Sequence, residues 1–265
     1  MRKICFHIQK GGVGKTSVTG NIAALLAREG KKILLVDCDP QANLSSWFCT
    51  EKPKTDITGI VTGKASAEEA LIQLGEFARY EGRWSLLPAI AGGSSLPTGS
   101  GLTAGSGLKQ WAETELIRSP RAVEFLISDL EKLGFDYALF DCSPSLSLLE
   151  RSVISCMDEV INQLSAEFFS IDGIESFSNE LQNIEKANRK NIKNDKIVVN
   201  LLNRSFARHR AFLEELEKLR YQVFVIPQDS RIAECQIAHK SLIDFEPKAK
   251  SIPFFMKLVH SLAEG

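Results

Sequence analysis

The sequence predicts an α/β protein with a doubly wound, mostly parallel sheet and helices on both faces. Short β-branched and aliphatic runs alternate with longer segments of helical periodicity, which is the pattern of strands joined by crossover helices. The 265 residues include 44% hydrophobic and 25% charged side chains, which excludes collagen-like and disordered classes. Because no repeat or linker divides the pattern, residues 1–265 are expected to form a single domain.

The predicted elements alternate from the first strand onward. Each predicted strand is a short apolar run, and each predicted helix repeats its apolar residues at helical spacing. The predicted strands are Lys3–Gln9, Lys32–Asp37, Trp84–Leu87, Tyr137–Asp141, Glu159–Leu164, Lys196–Leu202 and Gln222–Ile226. The predicted helices are Thr16–Arg28, Ala67–Leu74, Pro120–Leu133, Ile171–Asn188, Ala207–Leu219 and Pro253–Ala263.

One stretch, Ala91–Leu108, departs from this alternation. It holds six of the chain's 18 glycines and four serines. Ordering so many glycines costs backbone entropy, so a mobile surface loop is expected. The alternative is a segment that becomes ordered when a ligand or partner binds.

The charge of the chain is balanced in total but uneven along the sequence. Its 32 basic and 33 acidic side chains give a formal charge of -1, which by itself argues against a polyanion binder. Lys186–Arg210, however, holds eight Lys or Arg against the single acid Asp195, a local charge of 8 - 1 = +7 that leaves -8 elsewhere.

The apolar runs and cysteines indicate the compartment. No apolar run is long enough to cross a bilayer or to form a signal-peptide core, so a cytoplasmic location is expected. Six scattered cysteines lack zinc-ligand spacing and are expected to be reduced, mostly buried side chains. They are Cys5, Cys38, Cys49, Cys142, Cys156 and Cys235.

The glycine-rich segment Lys10–Ser17, KGGVGKTS, follows the first predicted strand directly. Its glycines allow a tight turn whose backbone N–H groups point inward, and the helix that follows adds partial positive charge. We expect Lys15 to reach the β- and γ-phosphates of a nucleotide and the Thr16 hydroxyl to hold Mg²⁺. Gln9 replaces the usual first glycine of the motif, but the strand–turn–helix context is the one that the motif requires.

Three carboxylates end two other predicted strands. Asp37 and Asp39 stand at i and i+2 in LLVDCDPQAN, so both are expected on one side at the carboxyl edge of the sheet. Asp141 ends the apolar run YALFD, which is typical of an acid that holds magnesium through water. Ligands of open α/β sheets bind at that edge, so these residues and the glycine-rich segment predict a nucleotide site.

These motifs resemble those of the ParA/MinD family of P-loop ATPases, the deviant Walker A group. The deviation is an extra lysine at the start of KGGVGKTS, here Lys10. DCDPQAN, FDCSPSL, AEFFSIDGI and VIPQDSRIAE are similar to further family motifs and follow in the family's order. Together they span residues 10–234, nearly the whole chain.

The resemblance implies ATP and Mg²⁺ as cofactors. Lys10 would reach across a homodimer interface, Lys15 would neutralise the transferring phosphoryl group, and Asp39 would orient the attacking water. Thr16 would ligate Mg²⁺, which Asp39 and Asp141 would reach through water. The implied ATP-binding residues, with the last three at adenine, are Lys10, Gly11, Gly12, Val13, Gly14, Lys15, Thr16, Ser17, Asn203, Pro227 and Asp229.

The resemblance also implies that the protein acts as an ATP-dependent switch in plasmid or chromosome partitioning. Two ATP molecules would be sandwiched in a homodimer that binds DNA nonspecifically and associates with the nucleoid, and a ParB-like centromere-binding protein would stimulate hydrolysis. The implied DNA contacts are expected to share one surface of the dimer, on either side of a short strand. They are Arg189, Lys190, Lys193, Arg204, Arg208 and Arg210.

A MinD-like membrane-linked ATPase, or a nucleoid-based one that positions another cargo, remains the alternative. The tail SIPFFMKLVHSLAEG has apolar residues at helical spacing but only one lysine, Lys257, so we expect core packing rather than a stable membrane anchor. The chain departs from the family at Ser143, where a proline is usual, and at Asn162 and Gln163, which replace apolar strand residues.

Overall fold

The computed structural model describes residues 1–8, 10–75, 83–90, 107–166 and 171–264. Within them, eight strands form one sheet. The strands are β1 (Arg2–His7), β2 (Ile33–Asp37), β3 (Ile72–Leu74), β4 (Trp84–Leu87), β5 (Tyr137–Asp141), β6 (Glu159–Ser165), β7 (Lys196–Leu202) and β8 (Gln222–Pro227).

The strand order is β3-β4-β2-β5-β1-β6-β7-β8. All neighbours pair in parallel except β3 and β4, which are antiparallel. Because β1 is central and the chain adds strands on both sides of it, the predicted doubly wound, mostly parallel sheet is confirmed.

Twelve helices lie within the described residues. They are α1 (Lys15–Arg28), α2 (Asn43–Phe48), α3 (Ile57–Val61), α4 (Ala67–Ala70), α5 (Gly107–Arg118), α6 (Ala122–Glu131), α7 (Leu148–Cys156), α8 (Ile171–Asn188), α9 (Ala207–Glu217), α10 (Arg231–Ile237), α11 (Leu242–Phe245) and α12 (Ile252–Glu264).

The two faces of the sheet carry separate hydrophobic layers. On one face, Ile22 of α1 and Phe255 of α12 belong to a buried cluster with Leu35 of β2. On the other face, α5 to α8 cover Val36 of β2 and Phe140 of β5. Strands covered on both faces are near-continuous apolar runs, which is why most of them were recognisable from the sequence.

Two predicted boundaries are wrong. The predicted helix Ala67–Leu74 ends at Ala70, and Ile72–Leu74 is the edge strand β3, where Gln73 Nε2 donates to the Trp84 carbonyl at 2.7 Å. The glycine- and serine-rich stretch does not extend to Leu108, because α5 begins at Gly107 and Leu108 is fully buried. Residues 91–106 of that stretch, and Gln9, lie outside the described residues.

A buried ion-pair group lies at the amino edge of the sheet. Lys196 Nζ donates to Glu159 Oε1 at 2.8 Å, and Arg2 Nη2 donates to Glu159 Oε2 at 2.5 Å. The side chains of Lys196 and Glu159 are 2% and 1% exposed, so water cannot replace the contact. One of the eight basic charges in Lys186–Arg210 is thus neutralised inside the protein.

The structure can be compared with the expectations about the cysteines and about membrane-spanning segments. Cys5, Cys38, Cys142 and Cys235 are buried, while Cys49 and Cys156 are half-buried. None of the helices in the described ranges has the length and apolar character required to span a membrane.

Candidate nucleotide-binding site

The loop between β1 and α1 lies at the carboxyl edge of the sheet, between the strand and the N-terminus of the helix. Gly12 and Gly14 have φ angles of 74° and 81°, which strongly favour glycine. A Cβ atom on Gly14 would also lie 2.3 Å from Asn200 Nδ2. The loop therefore requires glycine at position 14 for both backbone conformation and space.

Lys15, the first residue of α1, folds back into this loop. Its side chain is buried, and Nζ donates to the Lys10 carbonyl at 3.1 Å. Burial lowers the pKa of Lys15, whereas the nearby carboxylates of Asp141 and Asp39 raise it. An ammonium group held beside a glycine-rich loop at a helix N-terminus is arranged for a phosphate.

Thr16 and Asp141 meet across the loop. The Thr16 hydroxyl donates to Asp141 Oδ2 at 2.7 Å, and Asp141 is 1% exposed. Asp141 Oδ1 is buried and makes no hydrogen bond in the structure. Burial, followed by the charge of Asp37, raises the pKa of Asp141 well above its usual value. A hydroxyl beside a carboxylate with an unused buried oxygen suits Mg²⁺, so the residues present fit that ion.

Asp37 is the last residue of β2 and Asp39 follows two residues later, but their carboxylates make different contacts. Asp37 Oδ2 accepts from the Ser45 amide at 2.8 Å and its hydroxyl at 2.7 Å, and Oδ1 accepts from the Asp39 amide at 3.1 Å. Asp39 Oδ1 accepts from the Gln41 amide at 2.9 Å. Burial raises the pKa of both, that of Asp37 to about 7. Asp37 thus fixes the loop that carries Asp39.

The segment after Asp141 is tied to α7 by serine hydroxyls. Ser143 and Ser147 both donate to the Glu150 carboxylate, which is 2% exposed, and the Ser147 amide donates to it at 3.0 Å. Ser143, at a position where the family usually has proline, therefore adds a contact between this segment and the helix that follows.

Two buried side-chain amides, those of Gln163 and Asn200, hold the loop, although the sequence did not predict them as site residues. Val13 O accepts from Gln163 Nε2 at 3.0 Å and from Asn200 Nδ2 at 3.1 Å. Both side chains are at most 2% exposed. The sequence signal was the presence of amide side chains, Gln163 and Asn200, inside the buried strands β6 and β7. Asn162, the neighbouring departure, instead donates to Asn194 at 3.2 Å.

Loss of this support is expected to weaken nucleotide binding. Gln163→Leu and Asn200→Ala each remove one donor to Val13 O, and a hydrogen bond of this kind contributes about 0.5–1.5 kcal/mol, so each should weaken MgADP binding about 2- to 10-fold. The affinity is measured by titration calorimetry.

Asn162→Leu is the matched control, because it removes a buried amide of β6 that does not contact the loop. It should change thermal stability but leave MgADP affinity within about 2-fold. Equal loss of affinity in the control and in Gln163→Leu would contradict a specific role for the loop contact.

A cavity of about 480 Å³ lies beside the carboxyl ends of β7 and β8. Asn203 and Pro227 line it, together with Lys250 and Phe254. Asp229 is not among its lining residues: its Oδ2 accepts from the Ser251 amide and hydroxyl at 3.2 and 2.9 Å. Two of the three residues expected at adenine therefore line the cavity, and the third fixes the start of α12.

The basic residues expected to share one surface fall into two groups, one at the amino ends and one at the carboxyl ends of the strands. Lys190 Nζ donates to the Cys156 carbonyl at 2.7 Å, and the Lys193 amide donates to the Asp158 carbonyl at 3.0 Å, both next to the start of β6. Arg204 follows the end of β7. Seven residues of extended strand separate these positions by about 20 Å.

The fold and the loop define a P-loop nucleotide-binding protein. Residues 1–90 and 102–194 match the family model described as an AAA domain, well over half of the chain. The uncharacterized protein BBD21 of Borreliella burgdorferi is 38% identical over 95% of both chains. The sporulation initiation inhibitor protein Soj of Bacillus subtilis is 27% identical over 96% of this chain and 95% of Soj.

Two solved structures share the fold. The septum site-determining protein MinD of Pyrococcus horikoshii, complexed with Mg-ADP, has a TM-score of 0.74 and 22% identity, covering 98% of this chain and 95% of MinD. A putative plasmid partition protein of Borrelia burgdorferi B31 bound to AMPPNP has a TM-score of 0.72 and 18% identity, covering 97% and 99%. The chain belongs to the ParA/MinD family of P-loop ATPases.

Proposed function

We propose that the protein is an ATPase that dimerises on ATP, binds DNA nonspecifically as a dimer and drives plasmid or chromosome partitioning. A ParB-like partner would stimulate hydrolysis and reset the switch. One observation carries the proposal: Lys15, the contacting pair Thr16 and Asp141, and Asp39 converge at one P-loop. The names of Soj and of the chromosome partitioning protein ParA of Myxococcus xanthus, 28% identical over 98% of this chain, support the partition role.

ATP hydrolysis at this site is mostly positioning and charge stabilisation. Lys15 would neutralise the transferring γ-phosphoryl group, and Thr16 would hold the metal, with Asp39 and Asp141 reaching it through water. Mg²⁺, when bound, neutralises charge on the phosphate oxygens. Asp39 orients the attacking water, with its carboxylate fixed by the Gln41 amide.

Lys10 is the residue proposed to join two protomers. It is exposed, on the outer side of the loop, while its carbonyl binds Lys15 Nζ within the protomer. Its side chain would reach the ATP of a second protomer, so that two ATP molecules stabilise the dimer. The γ-phosphate then controls assembly, because its loss removes the group that Lys10 binds.

The proposed DNA contacts are reduced to the carboxyl-edge arginines Arg204, Arg208 and Arg210. All three are exposed at the sheet edge that carries the P-loop. At the amino edge, Lys190 lies 3.6 Å from Asp158 and Lys193 lies 3.5 Å from Asp195, so each of these lysines already has a carboxylate beside it. Phosphate binding needs uncompensated charge, which favours the arginines.

The alternative, a MinD-like membrane-linked ATPase, receives less support. A membrane-binding helix needs an exposed apolar face. In α12, Phe255, Leu258, Val259 and Leu262 are instead fully buried against the sheet and α1.

Co-sedimentation with DNA and with anionic vesicles tests the proposal and its alternative together. With ATP, we expect DNA retention that falls with salt and is absent with ADP. The double variant Arg204→Ala, Arg208→Ala should lose it, and the control Lys190→Ala, Lys193→Ala should keep it. ATP-dependent pelleting with vesicles but not with DNA would favour the alternative.

A further inference from the structure

We propose that Phe206, exposed among the carboxyl-edge arginines, is itself a nucleic-acid contact that packs against sugars and bases of bound DNA. This inference rests on the proposed DNA binding and deepens it. It assigns the interface an apolar component in addition to phosphate contacts. We call residues 203–206, directly before α9, the Arg–Phe loop.

The Arg–Phe loop is held in one conformation. The Asn203 amide donates to Nδ1 of His209, which is 1% exposed, at 3.0 Å. Arg210 Nη1 donates to the carbonyls of Arg204 and Ser205 at 2.6 and 3.2 Å. A loop already fixed before binding loses little conformational entropy when a partner is bound.

Phe206 projects from this loop and is 45% exposed. The Arg208 guanidinium lies 5.3 Å from its ring centroid, and the His209 ring meets it edge-on at 5.1 Å. The ring is thus held in place by its neighbours while almost half of its surface remains in water. Covering this apolar surface would be favourable.

The charges around Phe206 point to a polyanion as the partner. Within the described ranges, none of Arg204, Arg208 and Arg210 has a carboxylate at ion-pair distance. Phosphates can neutralise such arginines, while an aromatic ring between them contacts sugar or base surfaces without reading sequence.

Phe125 on α6 shows what distinguishes this arrangement. It is 62% exposed and lies 5.4 Å from the guanidinium of Arg121, a geometry similar to that of Phe206. Arg121, however, donates to Glu124 at 2.8 Å, so its charge is compensated. Phe125 is thus an exposed ring beside an arginine whose charge is compensated, which makes it the matched control.

The Arg–Phe loop also borders the cavity at the nucleotide edge. Asn203 and Arg204 line that cavity, and the Asn203 amide donates to Nδ1 of His209, whose ring contacts Phe206. The proposed DNA contact therefore begins directly beside the proposed nucleotide site.

The test is binding of the ATP-bound full chain to a fluorescent 60-base-pair duplex of mixed sequence, followed by anisotropy across a salt series. We expect Phe206→Ala to weaken binding about 3- to 10-fold, because the exposed part of the ring is no longer covered. The dependence of log K on log salt should not change, because no phosphate contact is lost. Arg208→Ala should reduce that slope by about 1. Phe206→Tyr should retain most of the affinity, and Phe125→Ala all of it.

The outcomes separate this inference from the proposed function. If the wild-type chain with ATP does not bind the duplex, both fail. If Arg208→Ala weakens binding but Phe206→Ala and Phe206→Leu do not, only the Phe206 contact is overturned. It is also overturned if Phe206→Ala lowers ATP affinity as much as DNA affinity, since the ring would then act through the nucleotide site.

Discussion

Lys15→Ala is expected to weaken MgATP binding about 100-fold or more, because it removes the cation that the P-loop holds for the phosphates. The side chain is buried, and its Nζ is fixed by the Lys10 carbonyl at 3.1 Å. The effect is measured by calorimetric titration with MgATP and MgADP.

The same variant should leave the unliganded protein at least as stable as the wild type. Burial lowers the pKa of Lys15, which means that its environment disfavours the charged form. Lys64→Ala, at an exposed position remote from the loop, is the matched control and should leave both affinity and stability unchanged. Retained MgATP affinity in a folded Lys15→Ala protein would contradict the assignment.

Asp39→Ala is expected to separate binding from turnover. It should leave MgATP affinity within about 3-fold of the wild type and lower kcat about 10²- to 10⁴-fold, the usual range for a residue that activates or orients a nucleophile. The Asp39 Oδ1 accepts a hydrogen bond from the Gln41 amide, and the positive charge of Lys15 favours the ionised carboxylate. Steady-state phosphate release at saturating ATP measures the effect.

Asp56→Ala is the matched control for Asp39→Ala. Asp56 is also a buried carboxylate at a turn, but it caps α3 by accepting from the Gly59 amide at 3.1 Å. Its loss should destabilise the protein by about 1 kcal/mol without lowering kcat. If both variants reduced kcat alike, the loss at Asp39 would reflect disturbed folding rather than a missing catalytic group.

The parts of the site that were predictable from the sequence are local in the chain. KGGVGKTS lies between a strand and a helix, and Asp141 ends an apolar run, so neighbouring residues define each feature. The central parallel strands were predictable because strands buried on both faces are continuous apolar runs. The start of α4 depends on neighbouring residues, the capping box of Ser66 and Glu69. The end of this helix was mispredicted because β3, which follows it, is a strand through its antiparallel pairing with β4.

The features that were missed depend on contacts distant in sequence. The support of Val13 by Gln163 and Asn200 spans 150 and 187 residues. The division of the basic stretch into two groups was not visible in the sequence, because the seven residues of β7 place its two flanks at opposite ends of the strands.

The central claim is that ATP joins two copies of this chain through Lys10. The most direct measurement is sedimentation velocity of Asp39→Ala, which should hold ATP without turning it over, compared with the double variant Lys10→Ala, Asp39→Ala. We predict a dimer for Asp39→Ala with ATP, a monomer with ADP, and a monomer that still binds ATP for the double variant. A monomer for Asp39→Ala with saturating ATP, or a stable ATP dimer without Lys10, would contradict the account.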